Sequence, residues 1–85
     1  MLTVLIDEYD YLILIPSESE PVYRKAELSR ILQLAKQTKG DSNGIRVRIQ
    51  RRDNSRASAE HQLTNELQRA GIGNDAIYMA SEFVP

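Results

Sequence analysis

Ile45-Arg46-Val47-Arg48-Ile49-Gln50 alternates apolar and polar residues without a break. This stretch constrains the fold more than any other. A period of two is that of a β-strand with one buried face. Ile45, Val47 and Ile49 make up that face, and Arg46, Arg48 and Gln50 lie on the other. Such a strand needs a sheet beside it and a second layer to cover its apolar side.

The flanking sequence supplies both. Before it, Leu28, Ile31, Leu32 and Ala35 recur at the spacing of one helical face, which predicts a helix over about Tyr23 to Thr38. Lys36 and Lys39 suit the negative end of that helix, and Gly40 suits its cap. After it, Ala59, Leu63, Leu67 and Ala70 predict a second helix over about Ala57 to Ala70, with Ser55 or Ser58 as N-cap and Gly71 as stop. Leu2 to Ile6 alternates, Asp7-Glu8-Tyr9-Asp10 is polar, and Tyr11 to Ile15 is continuously apolar. That pattern predicts a β-hairpin whose second strand is buried on both faces. Pro16 to Pro21 reads as a loop and Ala76 to Ala80 as a last short strand. The predicted architecture is α+β: a two-layer α/β sandwich in β-β-α-β-α-β order, with two helices on one face of a four-stranded mixed sheet. A chain of 85 residues has material for one core, so residues 1–85 form a single domain.

Composition narrows the chemistry. There is no cysteine and one histidine, so disulfide frameworks, thiol nucleophiles and multi-histidine metal sites are excluded. No stretch reaches the roughly 18–20 apolar residues that span a bilayer. Gly71-Ile72-Gly73 follows a helix instead of opening one, so it is a stop and a turn, not a phosphate cradle. Asp7, Glu8 and Asp10 read as a solvated turn, and His61 has no serine–acid arrangement near it. No catalytic constellation emerges, so the expectation is a non-enzymatic domain without cofactor or metal.

The net charge of -1 conceals a split. Residues 1–20 hold five acids (Asp7, Glu8, Asp10, Glu18, Glu20) and no base, whereas residues 21–52 hold nine bases and two acids. Arg46, Arg48, Arg51, Arg52 and the adjacent Asp53 are therefore the candidate partner-binding residues. A nucleic acid bound by this strand would want aromatic side chains beside the arginines, and none lies between residues 40 and 70. The plain alternative is a solvated face whose arginines pair with the acids of the first hairpin. Exposed strand edges are the other candidate surface, for dimerisation or strand addition.

Several segments together resemble the periplasmic domain of the ExbD/TolR biopolymer-transport proteins. Leu2-Thr3-Val4-Leu5-Ile6-Asp7 is similar to that family's opening strand and Tyr11 to Ile15 to its second. Pro21-Val22 before the helix bearing Leu28 and Leu32 resembles its first helix. Ile49-Gln50-Arg51-Arg52-Asp53 is similar to a strand ending in Arg-Ala-Asp, with Arg52 where Ala is usual. Leu67-Gln68-Arg69-Ala70-Gly71-Ile72 looks like the end of its second helix. The usual aromatic after the Asp is replaced by Arg56-Ala57-Ser58, and the family's N-terminal transmembrane helix, with its proton-coupling aspartate, is missing. The resemblance implies a fragment or soluble relative from the periplasmic side of a bacterial inner membrane. It implies a homodimer, a channel subunit of the ExbB/TolQ type, a TonB- or TolA-like transducer, and contact with peptidoglycan. OmpA-like peptidoglycan-binding domains are similar in topology. Asp53 could stand for their ligand-gripping Asp, but Ala59 falls where their Arg would be. A small cytoplasmic domain binding nucleic acid through the arginine-rich strand is the remaining alternative.

Overall fold

A computed structural model describes residues 1–15 and 20–85. Among the described residues, five strands and two helices form in the order β1 (Leu2–Asp7), β2 (Asp10–Ile15), β3 (Val22–Ala26), α1 (Leu28–Gln37), β4 (Val47–Arg51), α2 (Ala57–Arg69) and β5 (Ile77–Phe83). A short 3-10 turn, Asn74–Ala76, precedes β5. The sheet order is β3-β2-β1-β4-β5. β2 is antiparallel to both β1 and β3, whereas β4 is parallel to β1 and to β5. Among the described residues no helix is long and apolar enough to cross a membrane.

The mixed α/β class is as the periodicities predict, but the strand count and order are not. The sheet has five strands rather than four, and the order is β-β-β-α-β-α-β. Tyr23 to Ala26, expected to begin the first helix, belong instead to Val22–Ala26, which pairs with β2 from Tyr11↔Ala26 to Ile15↔Val22. The apolar helical period starts only at Leu28, and Val22 and Tyr23 favour a strand. Most of the loop expected over Pro16 to Pro21 lies outside the described residues. β5 runs on to Phe83, beyond the expected Ala80.

Val4, Ile6, Val47 and Ile49 are fully buried beneath Ile31 and Ala35 of α1 and Ala59, Leu63 and Leu67 of α2. Val4 pairs with Ile49, so these strand residues share one face. Both helices therefore cover the same side of the sheet. β1, not β2, is the strand buried on both faces: Thr3, Val4, Leu5 and Ile6 are all buried. The helices cover its Val4 and Ile6 side, and β2 and β4 flank both its edges.

The helix ends show which local signals hold. After α2, Gly71 adopts φ +93, and Ile72 N–H donates to Leu67 O at 3.0 Å. Gly71 N–H donates to Gln68 O, completing a C-terminal cap in which buried Ile72 anchors the exit. The start of α2 differs from expectation. Arg56 is its N-cap, without a side-chain cap, in place of Ser55 or Ser58. α1 ends at a Thr38 C-cap before Gly40 is reached.

Candidate functional site

The candidate arginines were expected to share a surface, and the fold separates them. Arg46 was expected beside Arg48 and Gln50 on the outer face of its strand. It instead lies just before β4, and its guanidinium turns to the end of α1. There Nε donates to Thr38 O at 3.1 Å, and one terminal nitrogen donates to Ala35 O at 2.9 Å and Lys36 O at 3.3 Å. The last carbonyls of a helix lack helical partners and carry partial negative charge, so a guanidinium there completes the helix. Its backbone carbonyl also accepts from Leu2 N–H, and its own N–H donates to Ala76 O.

Arg51 lies at the end of β4. It pairs with Glu60 of α2 at 3.2 Å, donates to Ala80 O, and stacks 5.3 Å from the Phe83 ring centroid. Arg52 pairs with Asp7 of the hairpin at 2.8 Å, while Asn54 donates to the other oxygen of the same carboxylate. The expected pairing of an arginine with a hairpin acid is thus realised at Arg52. Asp53 is exposed in the turn that follows β4.

Arg48 is different. It sits on the sheet face opposite the helices, in one row with Thr3 of β1 and Tyr78 of β5. It is half-buried, its Nε is shut off from solvent, and it makes no hydrogen bond or ion pair among the described residues. A desolvated guanidinium nitrogen without a partner is uncommon, because desolvation is offset only by a hydrogen bond. Arg51 and Arg52 also leave Nε unbonded, but their terminal nitrogens are engaged.

A cavity of about 240 Å³ opens beside Arg48, lined by Met1, Asp41, Asn43, Ile45, Arg48 and Tyr78. Asp41 is held there by its own turn, its Oδ1 accepting from the backbone N–H of Asn43 and of Ile45, both at 2.9 Å. Gly44 at φ +82 closes that turn and donates to Asp41 O. A second open cavity of about 280 Å³ lies between α2 and β5, lined by Ala57, Glu60, His61, Thr64 and Met79. Glu60 is paired with Arg51 and the Thr64 hydroxyl with backbone carbonyls of its own helix, so its polar walls are largely satisfied.

Among the described residues, no three His, Asp or Glu side chains gather as a metal site. Burial raises the pKa of the Tyr11 hydroxyl above its ordinary value. It donates to Ala59 O at 2.7 Å and ties the hairpin to α2, a structural role. Sequence reasoning did not single out Thr3, Asp41 or Tyr78. Their convergence depends on strand register and on a turn, and neither leaves a local pattern.

Comparison with protein-family models, with curated proteins and with solved structures found no match to this chain.

Proposed function

We propose that the chain is a non-enzymatic domain of an energy-transducing envelope complex, similar to ExbD and TolR. It would act on the periplasmic side of a bacterial inner membrane, by dimerising and by contacting a transducer protein or peptidoglycan. One observation carries the reading. Most of the segments that resemble the family fall on elements of the kind the resemblance implies, except Val22, which opens β3 instead of leading into the first helix. Leu2–Asp7 and Tyr11 to Ile15 form the opening hairpin, Leu28 and Leu32 lie on α1, Ile49 to Asp53 ends β4, and Leu67 to Ile72 ends α2.

The surfaces such a domain would use are present. β3 and β5 end the sheet, so each presents an outer backbone row to which another strand can pair. Val22 on β3 and Tyr78 and Phe83 on β5 are about half exposed, at 46%, 50% and 57%. Nucleic-acid binding through the arginine strand is less well supported by the geometry. Arg46, Arg51 and Arg52 spend donors within the chain and point to different parts of the molecule.

Sedimentation velocity over a wide concentration range tests the dimer; a strict monomer at millimolar protein would remove it. Reading the coding frame upstream of Met1 tests the family assignment. An apolar span of about 20 residues bearing an aspartate is the expected result. A frame that starts at Met1 would overturn the assignment.

A further inference from the structure

We propose that the cavity beside Arg48 binds an α-amino acid group, with the ligand carboxylate on Arg48 and the ligand ammonium on Asp41. Three observations lead there. Arg48 is a half-buried cation with no partner among the described residues, so its terminal nitrogens remain available to an anion. Asp41 lines the same cavity, yet the two side chains form no ion pair with each other. Opposite charges that share a cavity without meeting leave a gap that a ligand bearing both charges can fill. Asp41 cannot readily swing across to close that gap, because two backbone N–H groups hold its Oδ1.

The charge balance selects the ligand class. A phosphate dianion would gain Arg48 but would face the Asp41 carboxylate at close range. A lone ammonium would meet Arg48. A zwitterion with ammonium and carboxylate on one carbon satisfies both walls. The remaining lining residues are Met1, Ile45, Tyr78 and Asn43. That lining suits an apolar side chain with one amide to bond. A volume of about 240 Å³ is below that of drug-sized pockets, consistent with a ligand the size of a single amino acid. The site does not depend on the dimer or on the envelope assignment.

A free amino acid and an amino acid group at the end of a longer molecule present the same two charges. The test is titration of the isotope-labelled chain with L-leucine, followed by amide chemical shifts. Saturable shifts confined to Asn43, Ile45, Arg48 and Tyr78 are expected. Nε-acetyl-lysine keeps the zwitterion on a longer tail; tighter binding than leucine identifies the end of a larger molecule, and weaker binding a free amino acid. N-acetyl-leucine lacks the ammonium and leucinamide lacks the carboxylate, and each should bind about 10-fold or more weakly. Asp41→Asn keeps the acceptor that the turn needs and removes only the charge, and Arg48→Gln removes the other. Each variant should weaken leucine by a similar factor. Absence of shifts at millimolar leucine, or blocked ligands binding as well as leucine, would overturn the proposal. If Arg48→Gln fails to fold, the blocked ligands and Asp41→Asn decide it.

Discussion

The hydroxyl of Tyr23 on edge strand β3 donates to Gln50 Oε1 on β4 at 2.7 Å, across the two strands that lie between them. The pair crosses the sheet face opposite the helices. Leu5 lies in the middle of that face, paired with Leu12 on one side and Gln50 on the other, and it is fully buried. No described helix covers it. A phenol and an amide that span from strand to strand account for how a leucine stays dry there. The double-mutant cycle of Tyr23→Phe and Gln50→Leu should give a coupling of about 1 kcal/mol in urea unfolding. Tyr23→Ala should cost more than Tyr23→Phe, because it also uncovers Leu5.

Arg46 should behave as part of the fold. Arg46→Gln removes the charged bonds to the carbonyls of Ala35, Lys36 and Thr38. We expect a loss of about 1.5–3 kcal/mol in urea unfolding. Hydrogen exchange should accelerate in the last turn of α1 before it does in α2. Unchanged stability would show that the guanidinium contributes nothing to the helix end.

Tyr11 makes stability depend on alkaline pH. Burial raises its folded-state pKa above the ordinary value of 10.0, so the neutral hydroxyl is the form the fold favours. Its contribution is complete below the unfolded-state pKa and is lost as pH rises through the folded-state pKa. Stability should therefore fall above about pH 10, and Tyr11→Phe should flatten that fall. At neutral pH the variant should lose about 1 kcal/mol, the worth of the bond to Ala59 O. Chemical denaturation at pH 7 and at stepped alkaline pH gives both numbers.

Glu8 stands at φ +57 in the hairpin turn, a backbone region that favours glycine. Its backbone is clamped there: its N–H donates to Asn54 Oδ1 and its carbonyl accepts from Arg56 N–H. Both bonds are made by main-chain atoms and survive Glu8→Gly. The variant should be more stable by about 0.5–1 kcal/mol, the relief of left-handed strain less the entropy of an added glycine. A thermal melt that moves down instead of up would sink this account.

Period and composition made much of the fold legible. The alternation of Val47 and Ile49, the helical spacing of Leu28 to Ala35 and of Ala59 to Leu67, and the stop at Gly71 all lie where the chain puts them. β3 was not legible. Val22–Ala26 is short and carries Arg24 and Lys25, and although Val22 and Tyr23 favour a strand, what completes it is the open edge of β2 beside it. Local propensity cannot report a pairing partner.

The candidate site divides along the same line. Sequence alone determined that the candidates would be arginines, since the chain has no cysteine, one histidine and a basic middle third. Tertiary structure alone decided which arginine is available. Arg46, Arg51 and Arg52 look no different from Arg48 in the sequence, yet each meets a carbonyl or carboxylate brought from a distant segment. Arg48 meets none among the described residues: strand register sets it beside Thr3 and Tyr78, and the Asp41 carboxylate that shares its cavity is bonded within its own turn. Charge is a property of composition, but whether a charge is satisfied depends on distances that only the folded chain defines.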